Sequence, residues 1–265
     1  ASNTLNRVRS TDPSRIYGTL NATGNIFFIN SSGVLIGKSG RINVGGLVAT
    51  TMDMASNDFN NQNYNFSTSS KSSIVNYGSI NSEYVALIST DVSNYGSITA
   101  KSGSAALISG NNAKLSISTD GKIAVKVTES DLANPIQNGG TIKSDNGQVL
   151  IKSSAAQSLV KATIKGPSGK TKLISNNGVL KLVSNNGTIE AKKIKIDAGK
   201  NGLVDNSGIL DVSSSTGKAG SVEITGKEIS INSGSKILAK GKNGGGDILI
   251  GGDWKGSGDL LQSTY

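Results

Sequence analysis

The chain contains no cysteine and no histidine, only 3 prolines and 1 tryptophan, and aromatic residues make up 4% of its 265 residues. The absence of cysteine excludes disulfide bonds and thiolate metal sites. The absence of histidine removes the side chain that enzymes use most often as a general base. No run of about 18 apolar residues occurs, so the sequence predicts no membrane-spanning helix.

Glycine is abundant instead. The chain has 34 glycines, while hydrophobic residues make up 35% and the mean hydropathy is −0.17. That hydropathy is too high for a disordered polymer, and the hydrophobic fraction is low for one large core. The composition therefore favours many small aliphatic cores separated by tight turns.

The net charge is +9, and its distribution along the chain is uneven. Arginine occurs at four early positions, Arg7, Arg9, Arg15 and Arg41, and every later cation is lysine. The lysines alternate with aliphatic residues, as on solvated strand faces, whereas nucleic-acid-binding proteins cluster arginine and aromatic residues on one face. We therefore expect no nucleic-acid partner.

Residues 12–54 contain four short apolar runs, each followed by a polar turn. The runs cover residues 16–20, 26–29, 34–36 and 42–44. Runs of this length, rich in Ile, Val and Phe and bounded by Asn, Gly and Ser, predict β-strands. A glycine follows each run, and we expect it to supply the left-handed backbone of a tight corner.

An internal repeat becomes visible after residue 74. Residues 75–80 (VNYGSI) recur as residues 92–98 (VSNYGSI), so that Gly96 follows Gly78 by 18 residues. The Asn-x-Gly element returns at residues 138–140, 185–187 and 206–208. A period near 20 residues predicts a solenoid. Its equivalent coil corners are then Gly78, Gly96, Gly140, Gly187 and Gly208.

Between the turns, polar and apolar residues alternate, which predicts strands with one buried face. In residues 193–197, 221–225 and 228–232, this places Ile194, Ile196, Val222, Ile224, Ile229 and Ile231 inward and Lys193, Lys195, Glu223 and Glu228 outward. The predicted fold is all-β, a right-handed parallel β-helix of about 13 coils of about 20 residues, with short protruding helices and loops.

Three segments interrupt the repeat. Residues 55–73 are rich in Asn and Ser, and we interpret them as an excursion from the β-helix whose rings Phe59, Tyr64 and Phe66 pack back on it; disorder is the alternative. Residues 129–136 and 153–161 have the composition and spacing of short helices that protrude between coils.

Residues 5–8 (LNRV) and 12–54 carry a family resemblance. Three segments match parts of one long sequence signature and occur in the same order as in it. They are residues 27–30 (FFIN), 33–37 (GVLIG) and 43–50 (NVGGLVAT). They resemble the two-partner-secretion domain of filamentous-haemagglutinin-like exoproteins. Residues 124–129, 137–142 and 244–253 are similar to later stretches of that family. One departure is the turn at residues 30–33, where NSSG replaces the family's Asn-Pro-Asn-Gly.

The resemblance implies a protein secreted by a Gram-negative bacterium or held on its surface. An outer-membrane transporter of the Omp85 type is the implied partner, and an unfolded, cysteine-free chain suits passage through its pore. The implied residues for transporter recognition or nucleation of folding are Asn6, Arg7, Arg15, Asn30, Gly33, Asn43, Gly45 and Gly46. Arg7 and Arg15 are the predicted polar contacts.

The resemblance also divides the chain. Residues 1–54 would be the C-terminal part of the secretion domain, residues 55–73 the excursion, and residues 74–265 continuous β-helix repeats. We expect the sequence to be a piece of a longer protein, whose stalk displays an adhesive or toxic region. Host or environmental glycans and cell-surface receptors are the expected targets. A self-assembling extracellular filament is the main alternative.

An enzyme is the third alternative, because parallel β-helices include carbohydrate-active enzymes. The chain lacks histidine and has no arginine after Arg41, and Asp205 and Asp211 flank a turn, where aspartates are usually structural. Residues 244–247 and 251–253 match only half of a tandem calcium-binding array. We therefore expect no catalytic, metal or cofactor site. Four Asn-x-Ser/Thr matches leave glycosylation open, at Asn21, Asn30, Asn65 and Asn186.

Overall fold

The computed structural model of the protein describes residues 2–127, 135–153 and 180–251. Short parallel strands stack coil upon coil in these ranges. The sequence prediction of an all-β, parallel β-helical fold is confirmed. No helix in the described ranges is both long and apolar enough to cross a membrane.

Two sheets form the wall of the solenoid, with strands numbered in chain order. The described part of the first sheet has thirteen strands. They are β1 (Asn3–Val8), β3 (Thr19–Asn21), β4 (Asn25–Asn30), β6 (Arg41–Thr50), β9 (Ser79–Ser89), β11 (Ser97–Ala100), β12 (Ala105–Ser109), β16 (Thr141–Ser153), β18 (Thr188–Asp197), β20 (Ile209–Asp211), β21 (Ser221–Thr225), β23 (Lys236–Leu238) and β24 (Asp247–Ile250).

The second sheet stacks eight described strands in chain order, with parallel pairing throughout. They are β2 (Ser14–Ile16), β5 (Val34–Ile36), β8 (Ser73–Asn76), β10 (Asp91–Asn94), β15 (Ile136–Asn138), β17 (Leu180–Asn185), β19 (Gly202–Asn206) and β22 (Glu228–Ile231).

The long strands of the first sheet turn a corner midway. Residues 41–43 of β6 pair with β3, whereas residues 46–50 pair with β4. The strands β9, β16 and β18 divide in the same way, each half pairing with a different short strand. A complete coil therefore has three sides: the two halves of a long strand of the first sheet and one strand of the second sheet.

The interior of the coils is a continuous aliphatic core. Ile80, Ile98 and Ile142 stack in register and are each 0% exposed. Leu87 and Leu107 stack in the same way on the third side. Burying one such side chain contributes about 1.5–3 kcal/mol, so a single coil is marginal and the stack is stable.

A flanking sheet covers the outside of the first coils. It consists of β7 (Tyr64–Ser67), β13 (Asn112–Ile117) and β14 (Ile123–Val127), which pair antiparallel, and α1 (Ser56–Asn60) precedes it. The Phe27 ring lies 4.7 Å from that of Tyr64 and 5.2 Å from that of Phe59, and Phe66 is 2% exposed. The rings of residues 55–73 therefore do pack on the solenoid, and they form a second core with its outward face.

On the outward face of the first sheet, the row of side chains that contains Ala106 changes from apolar to charged along the solenoid. Ala106 and Leu150 are buried in the second core, but Lys195 follows Leu150 in the register. Lys195 forms an ion pair with Glu223, the next residue in that row. Glu223 was expected to face solvent, yet it is buried, because alternation determines the side of a strand and not what covers that side.

The inward orientation predicted for the six aliphatic side chains is correct for Ile194, Ile196, Val222 and Ile224, which are fully buried, and Ile229 packs against the core. Ile231, on the same side of β22 as Ile229, is nevertheless 41% exposed. Ile231 pairs with Asn206 at a coil corner, and β22 is the last described strand of its sheet. No described coil stacks on that position.

Within the described residues the coils are fewer than the sequence suggested, since the second sheet has eight described strands rather than about 13. Equivalent positions lie 18, 44, 47 and 21 residues apart from Asn76 to Asn206. Long segments between some coils account for the difference. The predicted helices lie largely outside the described residues: Ile136 begins β15 and Ser153 ends β16, and residues 129–134 and 154–161 are not described.

Candidate functional site

The turn between β4 and β5 is built on Asn30 and Gly33. The buried Asn30 amide donates to the carbonyl oxygen of Asp12 at 3.0 Å and to the Ser14 hydroxyl at 2.8 Å, and its oxygen accepts the N–H of Ser32. Gly33 has a φ of +118°, and its N–H donates to the Asn30 carbonyl oxygen. Both residues fix this turn and hold the preceding coil against it, so they present no side chain to solvent.

Gly45 and Gly46 lie where β6 turns its corner. A Cβ on Gly45 would lie 2.6 Å from the carbonyl oxygen of Thr23, and one on Gly46 would lie 2.1 Å from the Tyr84 ring. Neither glycine has a positive φ. The expectation of a left-handed backbone is therefore wrong here. Glycine is needed because a neighbouring coil and a ring occupy the space of a side chain.

Asn43 belongs to a file of exposed amides on the same side. Its Nδ2 donates to Oδ1 of Asn21 at 2.9 Å, and its Oδ1 accepts from Nδ2 of Asn81 at 3.2 Å. The three residues lie in register on β3, β6 and β9. Asn43 thus links successive coils at the surface.

The cations of the motif have different surroundings. Arg7 donates to Asp53 at 2.9 Å, to the Ser56 hydroxyl and to the Met54 carbonyl oxygen, so it ties β1 to the segment before α1. Arg15, in contrast, is exposed and has no hydrogen bond or ion pair with the described residues. Arg9 is exposed in the same way, and the sequence analysis did not select it.

Seven of the eight motif residues form two groups at opposite ends of β4. Asn25 at the start of β4 pairs with Gly46, and Asn30 ends the strand. Asn43, Gly45 and Gly46 lie at the first end. At the other end lie Gly33, Arg7, which pairs with Ile29, and Arg15, which follows the Asn30 contact Ser14. Asn6 pairs with Phe28 between them and is exposed.

The five predicted corner glycines form one row along the solenoid. A Cβ on Gly96, Gly140, Gly187 or Gly208 would lie 2.0–2.1 Å from the carbonyl oxygen of the preceding glycine, beginning with Gly78. None of the five has a positive φ. The physical reason for glycine at these corners is therefore contact between the backbones of successive coils and not a left-handed backbone.

A ladder of buried asparagines runs beside this row, and the sequence analysis missed it. Each amide Nδ2 donates to the Oδ1 of the next residue, at 2.8, 2.9, 2.8 and 2.7 Å. The members are Asn76, Asn94, Asn138, Asn185 and Asn206, each at most 1% exposed. The signal was present, because an asparagine precedes every corner glycine by two residues. It was interpreted as a turn residue only.

The carboxylates considered for catalysis make structural hydrogen bonds. Oδ1 of Asp211 accepts the N–H of Ser213 at 2.8 Å, and Asp205 accepts the amide of Asn232. In the part of the chain that the structure describes, no group of three or more acidic, His or Cys side chains could hold a metal ion.

The partial calcium motif and the glycosylation matches also have structural explanations. Gly244 and Gly251, both with positive φ, flank β24 as two corners, and residues 252 and 253 lie outside the described ranges. Asn30 is fully buried, so its side chain is closed to modification in the folded chain. Asn21 and Asn186 are exposed, and Asn65 is half-buried.

Comparisons with known proteins agree with this geometry. The family model described as TPS secretion domain matches residues 1–180. A heme/hemopexin-binding protein of Haemophilus influenzae is 33% identical over 150 residues, which are 52% of this chain and 16% of that protein. A second protein of that name and species is 39% identical over 66 residues, 25% of this chain and 7% of its own length. The chain thus spans a small part of these curated relatives.

A solved structure shares the fold. The crystal structure of the HMW1 secretion domain from Haemophilus influenzae superposes with a TM-score of 0.76 and 26% sequence identity. The match covers 99% of this chain and 66% of that one. The similarity in fold therefore extends over nearly the whole of this chain.

Proposed function

This chain belongs to the TPS secretion domain family, and we propose that it directs the export of a large exoprotein of the filamentous-haemagglutinin type. Its family places it outside the cell, secreted or at the surface of a Gram-negative bacterium. The match over residues 1–180 carries the proposal, because it includes both groups of motif residues.

An outer-membrane transporter of the Omp85 type is the proposed partner. Arg15 is the motif cation proposed for this contact, since its guanidinium is exposed and has no partner among the described residues, whereas Arg7 is bound within the chain. Arg9 is a second exposed cation, six residues earlier in the chain. Cations that the folded coils do not use are free to serve the encounter of the unfolded chain with an acidic partner surface.

The buried motif residues have a different proposed role, which is to nucleate folding after export. Asn30 and Gly33 close a turn between the first coils, and those coils bury two cores rather than one. Coils that bury both an inner and an outer core are stable enough to act as a template for the addition of later coils. Coil-by-coil addition outside the cell would then make export directional.

The boundary after Met54 stays a prediction, and so does the role of the remaining coils as a stalk. We propose that the stalk presents a region that adheres to glycans or to cell-surface receptors, rather than an enzyme. The relatives are named for binding and for secretion, which supports that choice. Self-association of the stalks into filaments is the competing proposal, and the mass of the exported parent in solution distinguishes the two.

Export of the full parent with its transporter tests the main proposal. We expect Gly33→Val to abolish appearance outside the cell, whereas Gly208→Val, beyond the matched residues, is exported but less stable. A matched surface pair separates recognition from folding: Arg15→Glu should reduce export, and Lys193→Glu, equally exposed, should not. Equal export of all four variants would contradict the assignment as a secretion domain.

A further inference from the structure

A cleft of about 590 Å³ opens where the flanking sheet meets the first coils. The turn between β13 and β14 forms one wall and includes Asp120. Tyr64 and Tyr84 contribute aromatic rings, and Asn3 and Asn25 contribute amides. Its volume lies in the range of about 300–1,000 Å³ that is typical of ligand sites.

Tyr84 is the most informative residue of the cleft. Its ring is held between the backbones of Gly46 and Gly121 and is 7% exposed. Its hydroxyl makes no hydrogen bond with any described residue and is still reached by solvent, so it is available to a ligand in the cleft. Burial, reinforced by Tyr64, raises the pKa of the Tyr84 phenol. The group therefore stays protonated at neutral pH and can donate a hydrogen bond.

The amides on the opposite side are fixed in place. Nδ2 of Asn25 donates to Oδ1 of Asn3 at 2.8 Å, and Nδ2 of Asn3 donates to the Tyr64 hydroxyl at 3.3 Å. These bonds orient the polar atoms before any ligand arrives. A preorganised site loses less side-chain entropy on binding.

The charge of the cleft is opposite to that of the protein. Glu83 accepts a hydrogen bond from the Ser102 hydroxyl and has no cationic partner among the described residues. Asp120 pairs with Lys122, which lies outside the lining. No lysine or arginine lines the cleft, although the chain has a net charge of +9. An anionic ligand would therefore meet the unpaired Glu83 carboxylate and no cation in the lining.

We propose that this cleft binds a neutral, hydroxyl-rich ligand, a short carbohydrate. The hydroxyls of a sugar can both accept from Tyr84 and donate to the carboxylate of Glu83. An ammonium group could pair with Glu83 but has no acceptor for the Tyr84 hydroxyl. An apolar ligand would displace water from both groups without offering either of them a hydrogen bond. This activity goes beyond export.

The test uses the purified chain on an array of neutral oligosaccharides of hexoses and N-acetylhexosamines, followed by calorimetric titration of those that bind. Tyr84→Phe removes only the unpartnered hydroxyl and should weaken binding about fivefold to tenfold. Glu83→Gln, at an exposed position, should also weaken it. Tyr95→Phe is the matched control, because the Tyr95 hydroxyl donates to Gln137 elsewhere on the surface, and it should bind like the wild type.

Three results would overturn the inference. The first is that no neutral oligosaccharide binds. The second is that Tyr84→Phe and Glu83→Gln both bind as the wild type does. The third is that lysinamide, the cationic probe, binds while the neutral sugars do not. Each result is independent of export, so the proposed secretion function can stand or fall separately.

Discussion

The side-chain amide of Asn94 donates a hydrogen bond to the side-chain oxygen of Asn138 at 2.9 Å, although 44 residues separate the two in the chain. Asn94 also accepts a hydrogen bond from Asn76 at 2.8 Å. The ladder therefore continues through both sides of Asn94, and it does so within a core that excludes water. Long segments can leave the solenoid between two coils without disturbing this stacking.

Asn94→Leu should destabilise the chain by about 3 kcal/mol, because it leaves the Asn76 donor and the Asn138 acceptor buried without partners. Urea unfolding followed by circular dichroism measures the change. Asn21→Leu, at an exposed position of the surface file, is the control, and it should change stability by no more than about 0.5 kcal/mol. Similar losses in both variants would contradict a special role for the buried ladder.

Gly96→Ala should destabilise the chain by about 1–3 kcal/mol, because the new Cβ would lie 2.1 Å from the carbonyl oxygen of Gly78 and backbone atoms cannot easily move away. Gly18→Ala is the matched control. No atom lies within 4 Å of a Cβ at Gly18, so this variant should be neutral or more stable by up to about 1 kcal/mol. Thermal unfolding of both proteins is the measurement. If Gly96→Ala is as stable as Gly18→Ala, the coil backbones do not require glycine.

The ion pair of Lys195 and Glu223 should be replaceable by leucines. Glu223→Leu alone should destabilise the chain by about 2 kcal/mol, because it removes the partner of a half-buried lysine. The double variant Lys195→Leu/Glu223→Leu should recover most of that loss, since Leu150 and Leu249 occupy the adjacent positions in the same row. A double-mutant cycle in urea measures the coupling, and strictly additive losses would refute it.

Asp91→Asn should stabilise the chain at pH 7. Burial raises the pKa of the Asp91 carboxyl above its ordinary value of 3.8, an effect that the Ser93 hydroxyl partly opposes. The folded state therefore favours the protonated acid, and its stability falls as pH rises from about 3.8 through the raised pKa. Well below pH 3.8 the charge is absent in both states, and the gain should vanish.

Urea midpoints of the wild type and Asp91→Asn across this pH range test the sign. Asp247→Asn, at an exposed position, is the control and should show no such trend. A stabilisation that persists unchanged at low pH would show that the effect comes from packing and not from ionisation.

The sequence by itself determined the architecture and the family. Alternating residues such as Ile194 and Ile196 identified strands with one buried side, and the recurrence of Gly78 at Gly96 identified the coil. These signals are local, because neighbouring residues determine the side-chain period of a strand and the composition of a turn. They were sufficient for the solenoid, and the order of motifs in residues 5–54 was sufficient for the resemblance.

Only the tertiary structure determined which other segments of the chain each coil contacts. The corner glycines require small size because of contacts with the preceding coil, and the asparagines before them stack across as many as 47 residues. The flanking sheet determines whether an outward side chain is exposed to solvent or buried. It covers Ala106, whereas Lys195 is not covered and pairs with Glu223. The cleft of Tyr84 exists only where that sheet joins the coils. Contacts between segments distant in the chain create these features, and the local pattern of a single coil does not encode which neighbours it will have.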